Sequence, residues 1–393
     1  MKKIFLTTIA LLSIASASVF GMYGANSGWI NFLTHGNQFR ARMEQLGFTL
    51  GNDTIKGTFG FFNDGRGTAY GSMLSLSSNA SDLYYDFTPT ISMGLAYTSS
   101  LISVGVGYNA TIGPNWTKIN GKKTEAVVHT PVLVLNAMDN AFRMAIPIQV
   151  VNLTDKFEGA KGSVTAVSLD AQFRYYTGLD FLPQIRLFIK YGKYGMQFSG
   201  GGEKFKETFA ESFGFDFRLY FGAMVEEVAL QPYIKLAYNG ALGKQHSKRS
   251  FTAIDALNDS ANFANQLVSS FADPNNPTEP TTTYGGNAAW KKSAWDLTLA
   301  PTLGLTANSD VVSLYFEPSL GLQIIQPGSA TDDKVKEIYS LAWGAYAEIY
   351  ITPLKNLEWY FEANVNNNAV SGGAITPVKF AASTGITWYL PAL

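Results

Sequence analysis

The chain contains no cysteine, which excludes thiol catalysis and thiolate metal sites. Its three histidines are then the first candidates for metal binding or acid–base chemistry. His35, His129 and His246 are far apart in the chain and lack the spacing of a metal-binding motif. The hexapeptide GVGYNA from Gly105 resembles a dinucleotide fingerprint in its letters only, since it lies in a strand pattern with no helix after it. We nominate no acid, base and nucleophile set, and therefore expect no enzyme, no cofactor and no metal site.

A larger set of ionisable residues alternates with apolar residues, which places the charges on one face of predicted strands. Between 167 and 236 these charges are mainly basic, with Asp170 and Asp216 as the acidic exceptions. Between 295 and 362 they are acidic, with no lysine or arginine on the same face. The predicted charges are Arg174, Arg186, Lys190, Arg218, Lys235, Asp296, Glu317, Glu348, Glu358 and Glu362.

These charges would be very costly next to lipid, so they must face water or each other. One interpretation is a pore in which a positive arc and a negative arc of the wall create a transverse field that selects solutes. The other is a closed lumen filled by a self-neutralising network of salt bridges. The sequence leaves both open.

The last residues of the chain show most clearly that these charges belong to β-strands. From Val378 the even positions are mostly apolar and the odd positions are polar or small, which indicates a strand whose two faces meet different solvents. A closing strand of an outer-membrane barrel has this pattern, with aromatic residues toward lipid. We expect this strand to carry the signal for the barrel-assembly machinery; its predicted outward residues are Phe380, Ile386, Trp388 and Leu390.

The same alternation recurs along the chain and predicts an all-β protein, a transmembrane antiparallel up-and-down β-barrel. Short turns alternate with longer polar or glycine-rich loops, such as 154–162 and 199–206, as they do in outer-membrane barrels. The count from Ile55 onward is about 14 strands, and a further pair within residues 23 to 50 would make about 16. Many predicted strands have about ten residues or more, long enough to span a bilayer when tilted.

Two segments fall outside this regular pattern. In residues 22–45, the segment from Ser27 to Leu33 fits either a short strand or one helical turn, so we start the barrel at residue 46 and continue it to 393. The insertion 239–290 is predicted to be a long extracellular loop. It contains apolar residues at helical spacing from Ile254 to Phe271, which predict an amphipathic helix.

The N-terminus and the composition indicate export to a membrane. Lys2 and Lys3 precede a short apolar run and then small residues, so we predict a signal peptide over residues 1–21, cleaved after Ala17 or Gly21. Charged residues are 15% and aromatic residues 14%, which suits a sheet that faces lipid. The formal net charge of −1 gives no reason to expect a nucleic-acid partner.

Three stretches resemble the variable surface proteins of the spirochaete Brachyspira. They are the leader MKKIFLTTIALLSIASASVFGMYG, the segment GWINFLTHGNQFRARMEQLGFTLGNDTIKGTFGF and the end STGITWYLPAL. The resemblance implies an outer-membrane antigen with variable loops exposed to the host, and it carries over no site residues. Loop 239–290 is then the natural candidate for contact with host antibodies or surface ligands.

The leading hypothesis is therefore a surface-exposed barrel in outer-membrane lipid that presents variable loops. A general diffusion porin is the alternative, and it differs in having an open lumen. An adhesin that uses loop 239–290 as its ligand surface is a weaker alternative.

Overall fold

The chain folds around one antiparallel sheet that closes on itself. A computed structural model describes residues 23, 28–42, 45–63, 89–112, 116–119, 122–124, 127–157, 160–200, 203–225, 228–242, 249–250, 252–253, 291–329, 331–367 and 378–391. The first strands are β1 (Gln38–Arg42), β2 (Gln45–Gly51), β3 (Ile55–Asn63), β4 (Pro89–Tyr97), β5 (Ile102–Ile112), β6 (Trp116–Ile119), β7 (Lys122–Thr124), β8 (Val127–Ala137), β9 (Phe142–Phe157) and β10 (Ala160–Tyr176). They are followed by β11 (Gln184–Gly200), β12 (Glu203–Tyr220), β13 (Ala223–Val225), β14 (Val228–Ala241), β15 (Trp295–Asn308), β16 (Val312–Gln326), β17 (Ile338–Leu354), β18 (Leu357–Asn367) and β19 (Val378–Tyr389).

The wall is a closed barrel of 16 strands. Strands β12 and β13 form one wall strand because both pair with β14, and β6 and β7 form a separate two-stranded hairpin. The barrel closes where β1 pairs with both β19 and β2. The predicted fold class is confirmed, and the strand count is the alternative of 16, because β1 and β2 supply the further pair.

The period-two pattern is the physical basis of this barrel. Outward residues of the closing strand β19 are exposed, as in Phe380, Ile386 and Trp388, while the inward Thr387 is buried. Leu390 follows the last residue of that strand and is partly exposed. Because apolar side chains form the outer surface and polar ones line the interior, the exposed apolar band is suited to lipid.

The two ends of the barrel differ. At one end the connections have seven residues or fewer: 52–54, 98–101, 138–141, 177–183, 226–227, 309–311 and 355–356. The first and last wall strands also meet there, because the amide of Leu390, just after β19, donates to the carbonyl of Asn37, just before β1. At the other end lie five connections of ten residues or more: 64–88, 113–126, 242–294, 327–337 and 368–377. This asymmetry is typical of outer-membrane barrels, whose short turns are periplasmic and whose long loops are extracellular.

Strands β9 to β12 have 16, 17, 17 and 18 residues, more than a membrane requires. A tilted spanning strand needs about 9–11 residues, so about six residues of each strand extend further, roughly 20 Å along the strand. The glycine-rich loops expected at 154–162 and 199–206 are therefore mostly strand, with two-residue tips at 158–159 and 201–202. The alternation of apolar residues ends at the lipid boundary, whereas the backbone pairing continues past it.

An outward ion pair marks that boundary on β11 and β12. Lys193 Nζ lies 3.4 Å from Glu211 Oε2, and the Tyr191 hydroxyl donates to Glu211 Oε1 at 2.6 Å. Below this pair the outward residues are apolar, as in Phe213 and Ile189. Because charges on the lipid face are costly near the bilayer midplane, the pair belongs at or above the headgroups.

Several predictions fall on residues outside the described ranges. These are the signal peptide, the amphipathic helix from Ile254 to Phe271 and most of the loop 239–290, whose first residues belong to β14. The barrel wall begins at Gln38, within the stretch that the sequence left unassigned. Among the described helices, none combines the length and the apolar character that a membrane span needs.

The candidate lumen site and its N-terminal plug

The segment before the first strand lies inside the barrel and forms a plug, which we define as residues 28–35. It begins with a short 3₁₀ helix, Gly28–Asn31, which is the helical turn that the sequence left open. Trp29, Ile30 and Phe32 have no exposed surface. They form one apolar cluster with Tyr23, Leu33 and the wall residues Ala96, Val132, Val134 and Ala145. The plug therefore narrows the lumen.

Trp29 enters a notch made by two glycines of the wall. Gly94 of β4 and Gly107 of β5 are directly opposed in the sheet. A Cβ atom at Gly107 would lie 2.4 Å from the Trp29 ring, and one at Gly94 would lie 2.8 Å from it. The wall can hold the indole this closely only because neither position carries a side chain.

Polar side chains of the wall bind the backbone and side chains of the plug. Lys56 Nζ donates to the carbonyl oxygens of Leu33 and His35, both at 2.8 Å. These bonds give partners to two carbonyls in the segment that follows the helical turn. Arginines of β9 and β10 add two contacts, from Arg143 Nη1 to Thr34 Oγ1 at 3.3 Å and from Arg174 Nη1 to Asn31 Oδ1 at 3.2 Å. The plug is thus attached to three wall strands, all near the short turns.

Tyr23 packs against the plug and contacts its last residue, His35. The Tyr23 hydroxyl lies 2.7 Å from Nδ1 of His35 and accepts a bond from Thr49 Oγ1 at 3.3 Å. Burial lowers the pKa of His35 well below its ordinary value, and the positive charges of Arg40, Lys56, Arg143 and Arg174 lower it further. Burial also raises the pKa of Tyr23. Both side chains are therefore neutral in the docked plug at neutral pH.

Beside the plug, basic residues on five adjacent wall strands form one row, which we call the basic row. Each member is directly opposed to the next across the sheet. The basic row consists of Arg143, Arg174, Arg186, Arg218 and Lys235. Directly opposed like charges repel each other, so this part of the wall is not neutralised from within the row.

Asp216 neutralises one end of the basic row. It lies 2.7 Å from Arg218 Nη2 and 3.6 Å from Lys235 Nζ. The predicted lumen residue Lys190 is opposed to Asp170, four residues along the strands from the Arg174–Arg186 pair. The other end of the row, Arg143 and Arg186, has no carboxylate within 4 Å among the residues that the structure describes.

The acidic residues lie on the next strands, and tyrosines hold most of them. Glu317 accepts from Tyr233 at 2.8 Å and from Tyr315. Glu348, which is almost fully buried, accepts from Tyr346 and from Tyr350 at 3.0 Å. Glu358 accepts from Tyr389 at 3.2 Å. The predicted acidic arc is therefore embedded in a layer of tyrosine hydroxyls.

Two cations that the sequence interpretation missed lie beside the acidic arc. Arg42 Nη1 of β1 is 3.7 Å from Glu362 Oε2, and its guanidinium lies 3.9 Å above the Tyr360 ring. Arg249, in the connection after β14, is 3.3 Å from Asp296 Oδ2. Arg42 is far from Glu362 in sequence and reaches it only because closure of the barrel places β1 beside β19. The ten predicted residues lie on the strand faces opposite to the exposed apolar residues, and two members of the negative arc are paired with these cations.

The plug itself was not predicted, although two sequence features indicate it. Strand β8 has apolar residues on both faces, and its inward residues Val132 and Val134 pack against the plug. The glycines at 105 and 107, set aside above as a false nucleotide motif, lie beside Leu33 and Trp29. An inward face that is apolar, next to glycines that leave room for a side chain, indicates that another segment of the protein packs against this part of the wall.

The histidines do not come together in the described part of the chain. His35 belongs to the plug, and Nδ1 of His129 bonds with the Tyr108 hydroxyl. His246 lies outside the described residues. Among those residues there is also no group of three or more histidine, aspartate or glutamate side chains arranged to hold a metal ion.

Solved barrels resemble this chain only weakly. OmpT, an outer membrane protein of Vibrio cholerae, is 8% identical over 90% of this chain and 96% of its own, with a TM-score of 0.33. The translocator domain of the autotransporter NalP from Neisseria meningitidis is 12% identical over 98% of each chain, also with a TM-score of 0.33. The transport unit of the autotransporter AIDA-I from Escherichia coli is 9% identical over 77% of this chain and 84% of its own, with a TM-score of 0.28. These similarities are too low to transfer any property of those proteins.

The sequence comparison is more specific. No curated protein matches the chain significantly. The family model of the Serpulina hyodysenteriae variable surface protein, by contrast, matches residues 2–389, which is nearly the whole sequence. The match covers the plug, every wall strand and both ends of the barrel. The chain belongs to this family of variable surface proteins, and it is an outer-membrane β-barrel exposed at the cell surface.

Proposed function

We propose that this barrel is a display scaffold, which holds exchangeable surface segments in outer-membrane lipid and presents them to the host. The observation that carries the proposal is the difference between the two ends of the barrel. One end has only short turns and the plug, whereas the other combines five long connections with the extended strands β9 to β12. Sequence changes at that end leave the lipid-facing band and the plug contacts untouched. The closing strand β19 would engage the barrel-assembly machinery, and display requires no catalytic step.

The extended strands supply the most accessible part of this surface. Beyond the Lys193–Glu211 pair, the sequence from 194 to 210 is rich in glycine and in polar and charged residues. The pairing nevertheless continues to Gly200 opposite Glu203. A paired ribbon of this kind would present epitopes above the membrane, where antibodies can reach them.

An epitope tag inserted between Gly200 and Glu203 tests this orientation. Antibody should label intact cells that carry this insertion. The matched control places the same tag in the short turn between Leu354 and Leu357, where labelling should require a permeabilised outer membrane. Labelling of the short-turn tag on intact cells, with none at the ribbon tip, would refute the proposed display surface.

One observation supports the porin alternative, namely the separation of basic and acidic residues in the barrel wall. The basic row and the acidic arc occupy different parts of the same wall, which is the arrangement that gives a lumen a transverse field. The plug counts against an open pore, since it removes part of the cross-section near the short turns. We therefore place the porin second, as a channel that conducts only when the plug has moved.

The adhesin alternative places a ligand surface on the loop 239–290. Deletion of residues 254–283 should then abolish binding of cells to a host surface while the barrel still folds. Under the display proposal the same deletion removes epitopes and leaves cell attachment unchanged.

A further inference from the structure

We propose that the plug-side end of the basic row binds a small oxyanion, a carboxylate or a phosphate, inside the lumen. This goes beyond display, which requires no ligand. The site lies between the plug and the strands β9, β10 and β11. Its residues are Arg143, Arg174, Arg186 and Gln184.

The charge at this place is the first argument. Arg174 is directly opposed to Arg143 on one side and to Arg186 on the other. Directly opposed residues have Cβ atoms about 5 Å apart, so three guanidinium groups share a short stretch of wall. Asp216 is paired with Arg218 and Lys235. Arg143 and Arg186 have no carboxylate within 4 Å among the described residues, and a bound anion would supply a negative charge beside these two.

The orientation of the guanidinium groups is the second argument. Arg143 lies 4.7 Å from the ring centre of Tyr176, and Arg186 lies 4.5 Å from that of Tyr220. Stacking on an aromatic ring covers the face of a guanidinium and leaves its N–H groups to bond in the plane. Arg143 bonds the Asn140 carbonyl through Nε and Thr34 through Nη1, and Arg186 bonds Gln184 through Nε. The terminal nitrogens of Arg186 and Nη2 of Arg143 are the donors that a carboxylate or phosphate oxygen would use.

Gln184 provides an independent third argument. Its side chain is buried, with 7% of the residue exposed, and it is opposed to Tyr176 on one neighbouring strand and to Tyr220 on the other. Its Oε1 accepts a bond from Arg186 Nε at 2.9 Å. Its Nε2 has no acceptor among the described residues. Because a buried donor without an acceptor is costly, an oxygen bound beside Arg186 would satisfy it.

The surroundings limit the size of the ligand. Arg174 and Arg186 are themselves 3% and 8% exposed. The plug side chains Asn31 and Thr34, which bond with Arg174 and Arg143, close one side. Such limited access favours a single carboxylate or phosphate group over a large polyanion.

Titration calorimetry of the refolded full chain in detergent, at low ionic strength, tests the site. Inorganic phosphate and acetate are titrated separately, which distinguishes the two anion classes, and chloride serves as the reference ion. We expect one bound oxyanion per chain for at least one of the two. Arg186→Gln should weaken it by about tenfold or more, as expected for a lost charged hydrogen bond.

The matched control is Lys193→Gln, which removes one positive charge from the outer face. It should leave the affinity within about twofold, since that charge lies away from the lumen and is screened. An equal loss in both variants would mean nonspecific attraction and would overturn the proposal. So would the absence of saturable binding up to about 10 mM of either anion.

A folding defect in Arg186→Gln would appear as the loss of heat-modifiable migration on a gel. In that case Gln184→Leu replaces it, since this change removes the free Nε2 donor without changing the charge. Weaker binding by a folded Gln184→Leu variant supports the site, and unchanged binding overturns it.

Discussion

Gly107→Ala should displace the plug, because it places a methyl group where the Trp29 ring lies. The new Cβ would be 2.4 Å from two ring atoms of Trp29. The wall cannot retreat easily, because Gly107 pairs with Gly94 on one side and with Val132 on the other. The indole must therefore move by about 1 Å or more to restore ordinary van der Waals contact.

The cost can be bounded from two sides. Overpacking in a well-packed interior costs about 1–3 kcal/mol. Complete ejection exposes a fully buried tryptophan, about 200 Å² of surface, worth about 5 kcal/mol. An overpacking cost of about 1–3 kcal/mol corresponds to about a 5- to 150-fold increase in the population of the undocked plug.

A buried thiol can report this population, because the chain contains no cysteine of its own. Ala145 of β9 is fully buried in the same apolar cluster as Trp29, so Ala145→Cys should react with a small water-soluble thiosulfonate only when the plug leaves. Gly107→Ala should raise the reaction rate by the factor given above. Gly57→Ala is the matched control, since its Cβ would meet nothing closer than 3.9 Å.

A double-mutant cycle separates the notch from a general distortion of the barrel. Trp29→Ala alone should also raise the reaction rate, and Gly107→Ala should then add little, because the ring that it meets is gone. If Gly107→Ala raises the rate equally in both backgrounds, or no more than Gly57→Ala does, the notch does not hold the plug.

Three further predictions concern the polar contacts of the plug and the wall. Lys56→Met should raise the reaction rate of the same buried thiol by about tenfold or more, because it removes both charged hydrogen bonds to the carbonyls of Leu33 and His35. Docking of the plug should also weaken on acidification. Because the pKa of His35 is lowered in the docked plug, the undocked plug binds more protons. Docking is therefore strongest above about pH 6.5, the ordinary pKa of histidine, and weakens as the pH falls below it. The thiolate is the reacting form, so the rate of the buried thiol is divided at each pH by the rate of a free small thiol. This ratio should rise as the pH falls, and a ratio that does not change with pH would contradict the prediction. The last prediction replaces Glu317, Glu348 and Glu362 with glutamine in a barrel without the plug. Reversal-potential measurements should then show a reduced preference for cations. If the lumen is closed, the replacement should only lower the stability of the barrel.

The wall could be predicted from the sequence because a barrel strand has one lipid face and one wet face. Phe380 and Trp388 on one face and Thr387 on the other show the alternation that the structure confirms. The pattern fails at Ser199 to Lys206, where β11 and β12 continue to pair although the alternation of apolar residues has ended. It also fails at β1, which is only five residues long.

The lumen was predicted less completely because its contacts join distant parts of the chain. The sequence placed Glu362 on the inward face, but only ring closure brings Arg42 to it. The plug depends on shape, through the indole of Trp29 and the two glycines that receive it. No periodic pattern encodes such a fit.

The conductance of the refolded protein in a planar bilayer tests the central claim most directly, namely that the N-terminal segment narrows the lumen of a display scaffold. The wild-type chain and the Gly57→Ala control should show little or no stepwise conductance. Gly107→Ala and a variant lacking residues 28–36 should show larger steps, because the lumen near the short turns is then open. Equal, large steps from all four proteins would contradict the account and would make the barrel an open pore.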